Sequence, residues 1–272
     1  SLVLMSVFST GYTVVTMQTD PVFMALTMGT FVCLQKQWRL PGALLAGAST
    51  AIRIQGVATG FASCAWILVS TWREGRRPNR GWIWRGLLMA ISGSGIMALM
   101  AYYAWRFGDP LIYSHSHGRA YHHAPNLMRI LIPDGRLLMQ SIWAEPNEGL
   151  ALVATLLWFA LGHRAGLARF SAGARAFWYT LYFGIVGISM VGSSDYGYGG
   201  FSRYAVTVFP LFFAMAAVMR RNAVVLALWL VISSMHYYNG SMCFYLGQLH
   251  PERLQRCGYA RYFRSDELSR EK

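Results

Sequence analysis

Residues 40–60 read LPGALLAGASTAIRIQGVATG, a run of small and apolar residues with one cation, Arg53, and one amide, Gln55, near its middle. Apolar runs of similar character flank it on both sides. A charge buried at such depth in a membrane costs roughly 2.5–3.5 kcal/mol on insertion scales. It persists where it faces a protein interior, a wet cavity or an anionic partner. Gly47, Ser49 and Gly56 are small enough to let neighbouring helices approach closely. The stretch therefore predicts a membrane-embedded helical bundle around a cavity, with Arg53 facing that cavity. The competing reading is an arginine that snorkels to a nearby interface or pairs with a buried carbonyl.

Composition agrees with a membrane protein. Of 272 residues, 55% are apolar and 13% charged, and the mean hydropathy is +0.34. A soluble domain carries about 25% charged residues. The net charge of +13 invites a nucleic-acid reading. That reading is rejected, because the arginines sit in short clusters between apolar runs, where they act as topology determinants. Lysine occurs only at Lys36 and Lys272. The cysteines, Cys33, Cys64, Cys243 and Cys257, lack the close spacing of a CxxC pair or a zinc site. The chain opens on Ser1-Leu2-Val3-Leu4, inside an apolar run with no charged leader, which is not a signal peptide. The expectation is that the natural protein extends upstream.

Working outward from the central stretch, Asp20-Pro21 is a helix start, with Asp at the cap and Pro in the first turn. The apolar run 21–34 follows, closed by Lys36, Trp38 and Arg39. As one helix, 41–72 would be about 48 Å long, well beyond the ~30 Å hydrocarbon core. Two short legs broken near Arg53–Gly56 are expected instead. They put the basic loop 73–80 on the same side as Lys36 and Arg39, as the positive-inside rule asks. Residues 82–105 form a full-length span with Trp82 and Trp105 at its ends. Further runs at 149–161, 177–191, 204–219 and 223–238 complete a far side that holds Asp20, the loop 106–148 and the glycine-rich loop 192–203. Within 106–148, the pieces 127–131 and 137–143 are amphipathic and are expected to lie at the far interface, roofing the cavity. The expected architecture is all-α: a polytopic integral membrane bundle of about seven or eight segments with a far-side cavity. It comprises a membrane domain over 1–249 and a polar tail over 250–272.

Candidate chemistry collects on the far side. Asp109, in Phe107-Gly108-Asp109-Pro110-Leu111, is either a helix cap at the surface or part of a site. His115, His117, His122 and His123 cluster in the loop behind it. Without nearby cysteine or a dense carboxylate set they do not define a metal site, and interfacial or substrate contact is the favoured reading. Arg203, in Ser202-Arg203-Tyr204, stands where the chain re-enters the membrane. Its guanidinium suits a phosphate held by charge-assisted hydrogen bonds, with interface anchoring as the alternative. No phosphate-cradling glycine loop, nucleophile elbow or HExxH is present.

These residues, taken in order, resemble a known family. Tyr12 with Thr19-Asp20, then Trp38-Arg39 and the run from Ala43 to Arg53-x-x-Gly56, is similar to the middle of the polyprenyl-phosphate-sugar-dependent GT-C glycosyltransferases. The PIG-V type GPI mannosyltransferases and their bacterial relatives are the nearest branch. Phe107-Gly108-Asp109-Pro110-Leu111 resembles that group's "GDPLAF" patch. Phe201-Ser202-Arg203-Tyr204 with Phe209-Pro210-Leu211 resembles its "RY…FPLF" re-entry helix. Two departures stand out: Asp20 replaces the family's glutamate, and the "YTES" string is broken up. The family's first luminal loop, with its acidic general base, is expected upstream of Ser1, which implies that this stretch alone binds but does not catalyse.

The resemblance implies a GT-C-like fold in the bacterial inner membrane or the endoplasmic reticulum membrane. It implies a polyprenyl or dolichyl phosphate sugar donor, with mannose as the sugar, and a lipid or glycan acceptor. No cofactor is implied, and nucleic acid is not a partner. Asp20 would be the catalytic carboxylate within this stretch. Arg53, Gln55, Asp109, His115, His117, Arg203 and Tyr204 would contact substrate. A small-solute transporter lined by the same polar residues and a non-catalytic membrane partner are the alternatives.

Overall fold

The computed structural model describes residues 20–73, 80–112, 115, 156, 159–160, 163, 170–191, 216, 220, 222–224, 226–228, 230–231 and 234. Among the described residues the fold is all-helical. Helix α1 spans Asp20–Gln35, α2 Arg39–Ile52, α3 Gly56–Arg73, α4 Arg80–Phe107 and α5 Ala172–Val191. The expected amphipathic pieces in 106–148, the runs 149–161, 204–219 and 223–238 as whole elements, and the tail lie outside the described residues. Of the described helices, Gly81–Phe107 is long and apolar enough to cross a membrane, and Val22–Gln35 is a shorter apolar helix.

The break expected near Arg53 is present. Arg53 leaves helical geometry for an extended conformation (φ −149°, ψ 152°). The carbonyls of Arg53, Ile54 and Gln55 then accept hydrogen bonds from the amides of Gly56, Val57 and Ala58 at 2.9–3.1 Å, which starts α3. Gly56 lies against the Ser49–Thr50 backbone, where a Cβ would stand 2.8 Å from the Thr50 Cα. Gly60 faces the Thr50 methyl, while Ala43 packs with Ile67 and Leu88. The two legs therefore run antiparallel as a hairpin, and each falls short of the ~30 Å bilayer core, at about 21 and 27 Å.

The other helices follow in register. Gly42 meets Leu34 and Gly29 meets Leu45, so α1 and α2 are antiparallel. Their turn closes by Trp38 N–H donating to the Cys33 carbonyl (2.7 Å) and Gln37 N–H to that of Leu34 (3.0 Å). This is a Schellman closure, with Gln37 at φ 61° in the position usually held by glycine. Gly47 abuts Ile91, and the Ile96 amide donates to Thr50 Oγ1 (2.9 Å), so α2 and α4 run parallel. Gly173 reaches Ser70 and Trp66 while Gly184 reaches Ala58, which sets α5 antiparallel to α3.

This register sorts the termini. Lys36, Arg39, Arg73, Arg80 and Arg175 belong to one end of the bundle. The start of α1 at Asp20, the Arg53–Gln55 turn and the end of α4 belong to the other.

The helices meet through two kinds of packing, a seam of small residues between α2, α3 and α4 and an aromatic core between α1, α3 and α5. The seam between α2, α3 and α4 buries Ala43, Gly47, Ser49, Thr50, Gly60, Ser63 and Ser92. Large apolar side chains, among them Leu44, Phe61, Leu68, Ile83 and Met97, point outward. The buried hydroxyls of Thr27, Thr71 and Ser92 donate to carbonyls one turn back in their own helices at 2.6–3.0 Å. Thr27 of α1 also pairs with Thr59 of α3 (3.0 Å) and Ser63 of α3 with Ser92 of α4 (2.9 Å), so these groups are satisfied without water. At the basic end, Phe31 packs on Trp66, Phe170, Phe177 and Trp178 with ring centroids 5.6–6.3 Å apart, joining α1, α3 and α5.

Candidate functional site

Two polar clusters occupy the end opposite Lys36, Arg39, Arg73, Arg80 and Arg175. The first is the α2–α3 turn. Arg53 is half-buried and its Nε donates to Gln55 Oε1 at 3.2 Å, while Gln55 itself is buried. The turn holds them because Ser49, Thr50 and Gly56 let the two legs close with no bulky side chain between them. The Gln55 carbonyl oxygen fixes the Nε edge of the guanidinium, a planar fork with five N–H donors in all.

The second cluster ends α4. Gly108, at φ 71°, donates its N–H to the Ala104 carbonyl (3.0 Å), and the left-handed conformation terminates the helix. Asp109-Pro110 starts the next turn: Asp109 Oδ1 accepts from the Leu111 amide at 2.9 Å. The second carboxylate oxygen, Oδ2, lies 2.7 Å from His115 Nδ1. The sequence offered a cap and a site role for Asp109 as alternatives; one oxygen serves as the cap and the other holds the imidazole.

The clusters stand at different depths. The contact between Thr50 and Ile96 sets the register of α2 and α4. Counting rises from that contact places Phe107, the last residue of α4, about 12 Å beyond the level of Arg53 along the bundle axis, with Asp109 two residues further along the chain. Arg53 joins Gln55, and Asp109 joins His115. Asp20 begins α1 at the same end, although its side chain is outside the described residues, as are His117, Arg203 and Tyr204. Among the described residues no group of three or more His, Cys, Asp or Glu side chains is gathered to hold a metal ion.

Sequence reasoning did not find Thr50. Its hydroxyl donates to the Gly47 carbonyl (2.7 Å) and accepts from the Ile96 amide, which ties the leg beneath Arg53 to α4. The alternation of small residues in Gly47-Ala48-Ser49-Thr50 and Ser92-Gly93-Ser94-Gly95 is the signal that marks this seam. Comparison with protein-family models, with curated proteins and with solved structures finds no match to this chain.

Proposed function

We propose that the chain is a polytopic integral membrane protein and that it is a glycosyltransferase of the GT-C kind, taking its sugar from a polyprenyl or dolichyl phosphate. The membrane reading is supported by the small-residue seam between α2, α3 and α4 with Leu44, Phe61, Leu68, Ile83 and Met97 exposed, since lipid rewards close approach of small residues and tolerates large apolar ones outside. It is also supported by α4, whose exposed Trp82 and Trp84 at the basic end and Tyr102, Trp105 and Phe107 at the other stand about 30–35 Å apart. That spacing matches a bilayer core bounded by aromatic belts. The cation-rich end would then be cytoplasmic, in the bacterial inner membrane or the endoplasmic reticulum membrane.

The observation that carries the functional reading is Arg53. It stands level with residue 99 of α4, about 9 Å below Trp105, half-buried and ordered by a buried amide. An arginine at that depth suits an anion that arrives through lipid, and a polyprenyl phosphate is such an anion. The guanidinium would stabilise the phosphate as it departs from the anomeric carbon, and the motif order resembling the PIG-V type group points to mannose as the sugar. Arg203 and Tyr204, at the re-entry to the membrane, would contribute to the same donor, with a lipid or glycan acceptor entering from the far side.

The test is donor binding by the purified protein in detergent, with polyprenyl phosphomannose compared against the uncharged polyprenol by native mass spectrometry. The phosphate lipid should be retained, and Arg53→Ala should weaken it about 10- to 100-fold, the equivalent of losing one charge-assisted hydrogen bond. Equal retention of the polyprenol, or an Arg53→Ala variant that binds as the parent does, overturns the reading. Solute flux in proteoliposomes without donor binding would point to a transporter.

A further inference from the structure

We propose that the cation-rich end of the bundle binds the phosphate headgroup of an anionic phospholipid, in a site formed by Arg39 and Arg85 where α2, α3 and α4 meet; the inference rests on the membrane reading above and not on the transfer chemistry. The register of the seam carries it. Ala43, Ile67 and Leu88 pack together from the three helices. Arg39 lies four residues before Ala43 in α2, Thr71 four residues after Ile67 in α3, and Arg85 three residues before Leu88 in α4. Those spacings keep each residue on the face that meets the other helices. They also set all three about 4.5–6 Å nearer the basic end than the apolar contact. Burial agrees with the placement: Arg85 is 6% exposed, Thr71 is buried and Arg39 is half-buried.

A guanidinium does not shed its proton, so burial leaves Arg85 charged. The five helices contain one acidic residue, Asp20, and it begins α1 at the opposite end. The loop between α3 and α4 sets Glu74 against Arg76 and Arg77. The backbone adds to the positive potential. Helices α2 and α4 run parallel, so both N-termini lie at this end, and neither has an acidic residue in its first turn. Side chains lean toward the N-terminus of their helix, which carries Arg39 and Arg85 together out of the seam toward the membrane surface.

Depth identifies the ligand. Each residue of this level has an exposed tryptophan as its neighbour in the chain: Trp38 beside Arg39, Trp72 beside Thr71 and Trp84 beside Arg85. Indole rings settle at the headgroup level of a bilayer, so the two guanidiniums stand where lipid phosphates lie. A phosphodiester offers its oxygens to both forks in charge-assisted hydrogen bonds. Basic pockets between helices on the cytoplasmic side suit anionic headgroups for this reason. The acyl chains of such a lipid find Leu40, Leu44 and Leu87, all exposed on α2 and α4.

The experiment compares retention of phosphatidylglycerol and phosphatidylcholine with matched acyl chains by the purified chain in detergent. Native mass spectrometry reads the retention, with inorganic phosphate added as competitor. Phosphatidylglycerol should be held about 10-fold more tightly, and Arg39→Gln and Arg85→Gln should each weaken it about 10-fold or more, the loss of one charge-assisted bond. Arg85→Lys should fall between parent and Arg85→Gln, because the charge stays and the fork goes. Arg175→Gln removes a cation of the same end from α5, which packs on α1 and α3, and should leave retention unchanged. Should Arg85→Gln fail to fold, the half-buried Arg39 carries the test by itself. Equal retention of the two lipids by a parent protein that reconstitutes into liposomes overturns the site alone. So does a loss in Arg175→Gln equal to that in Arg39→Gln, the mark of diffuse charge, and so does displacement of the lipid by inorganic phosphate, the mark of a soluble anion. A parent protein that stays dissolved without detergent overturns the membrane reading and this inference with it.

Discussion

Gly93→Ala and Gly95→Ala add the same methyl group to the same helix, and the packing separates them. At Gly95 a Cβ would stand 2.5 Å from Thr50 Oγ1 and 2.9 Å from the Ala51 amide nitrogen, and closer still to the Gly47 carbonyl oxygen. Ordinary contact lies near 3.5–4.0 Å, so α2 has to retreat by about 1 Å or more. Backbone atoms cannot swing aside as a side-chain tip can, and overpacking of this kind costs about 1–3 kcal/mol. The retreat also breaks the bond from the Ile96 amide to Thr50 Oγ1, worth about 1 kcal/mol. Against this, alanine recovers about 1 kcal/mol of helix propensity. The net expectation for Gly95→Ala is a loss of about 1–3 kcal/mol. At Gly93 nothing lies within 4 Å of the added atom, so only the propensity gain remains, about 0.5–1 kcal/mol in favour of the variant. The two variants should therefore differ by about 2–4 kcal/mol in opposite directions around the parent. Unfolding by SDS titration in mixed micelles, followed by tryptophan fluorescence and far-UV circular dichroism, reads the difference. If Gly95→Ala is as stable as Gly93→Ala, then α2 and α4 do not meet backbone on backbone, and the hairpin that carries Arg53 is not where the register puts it.

Three further outcomes test the same account. Gln37 holds a left-handed conformation at the α1–α2 turn, so Gln37→Gly should raise stability by up to about 1 kcal/mol in the same titration, and a loss would mean its side chain matters more than its backbone. Lys36 and Leu111 belong to opposite ends of the bundle, so Lys36→Cys and Leu111→Cys should react with a membrane-impermeant maleimide from opposite faces of a sealed vesicle. The labelling is read in a background with Cys33, Cys64, Cys243 and Cys257 replaced by alanine, and same-sided reaction would break the up-and-down order of α1 to α4. A double-mutant cycle of Thr27→Val and Thr59→Val should return a coupling of about 0.6–1 kcal/mol for their 3.0 Å hydroxyl pair, with zero coupling placing α1 in a different register on α3.

Much of the path of the chain was legible from residue chemistry. The length of 41–72 against the thickness of a bilayer, with the charge of the loop 73–80, predicted the break at Arg53, and the chain does turn there. Asp20-Pro21 marked the start of α1, and Trp82 and Trp105 marked α4 to within a turn of its ends. Such signals are local: each depends on one residue's preference for lipid, water or a particular φ, which the sequence states directly.

The tertiary structure decided which side chains pair, within a turn as well as between helices. Nothing in the order of residues says that Arg53 pairs with Gln55, that Thr50 bonds the Ile96 amide, or that Asp109 divides its oxygens between a turn and His115. The closed turn at Gln37 was hidden for a related reason, since glutamine carries no sign of a left-handed conformation that the Schellman bonds impose on it. Hydropathy sets which segments enter a membrane, but in lipid it does not choose the face on which helices meet. That choice falls to shape, to glycines opposite backbone, and to hydroxyls that find partners only once the register is set.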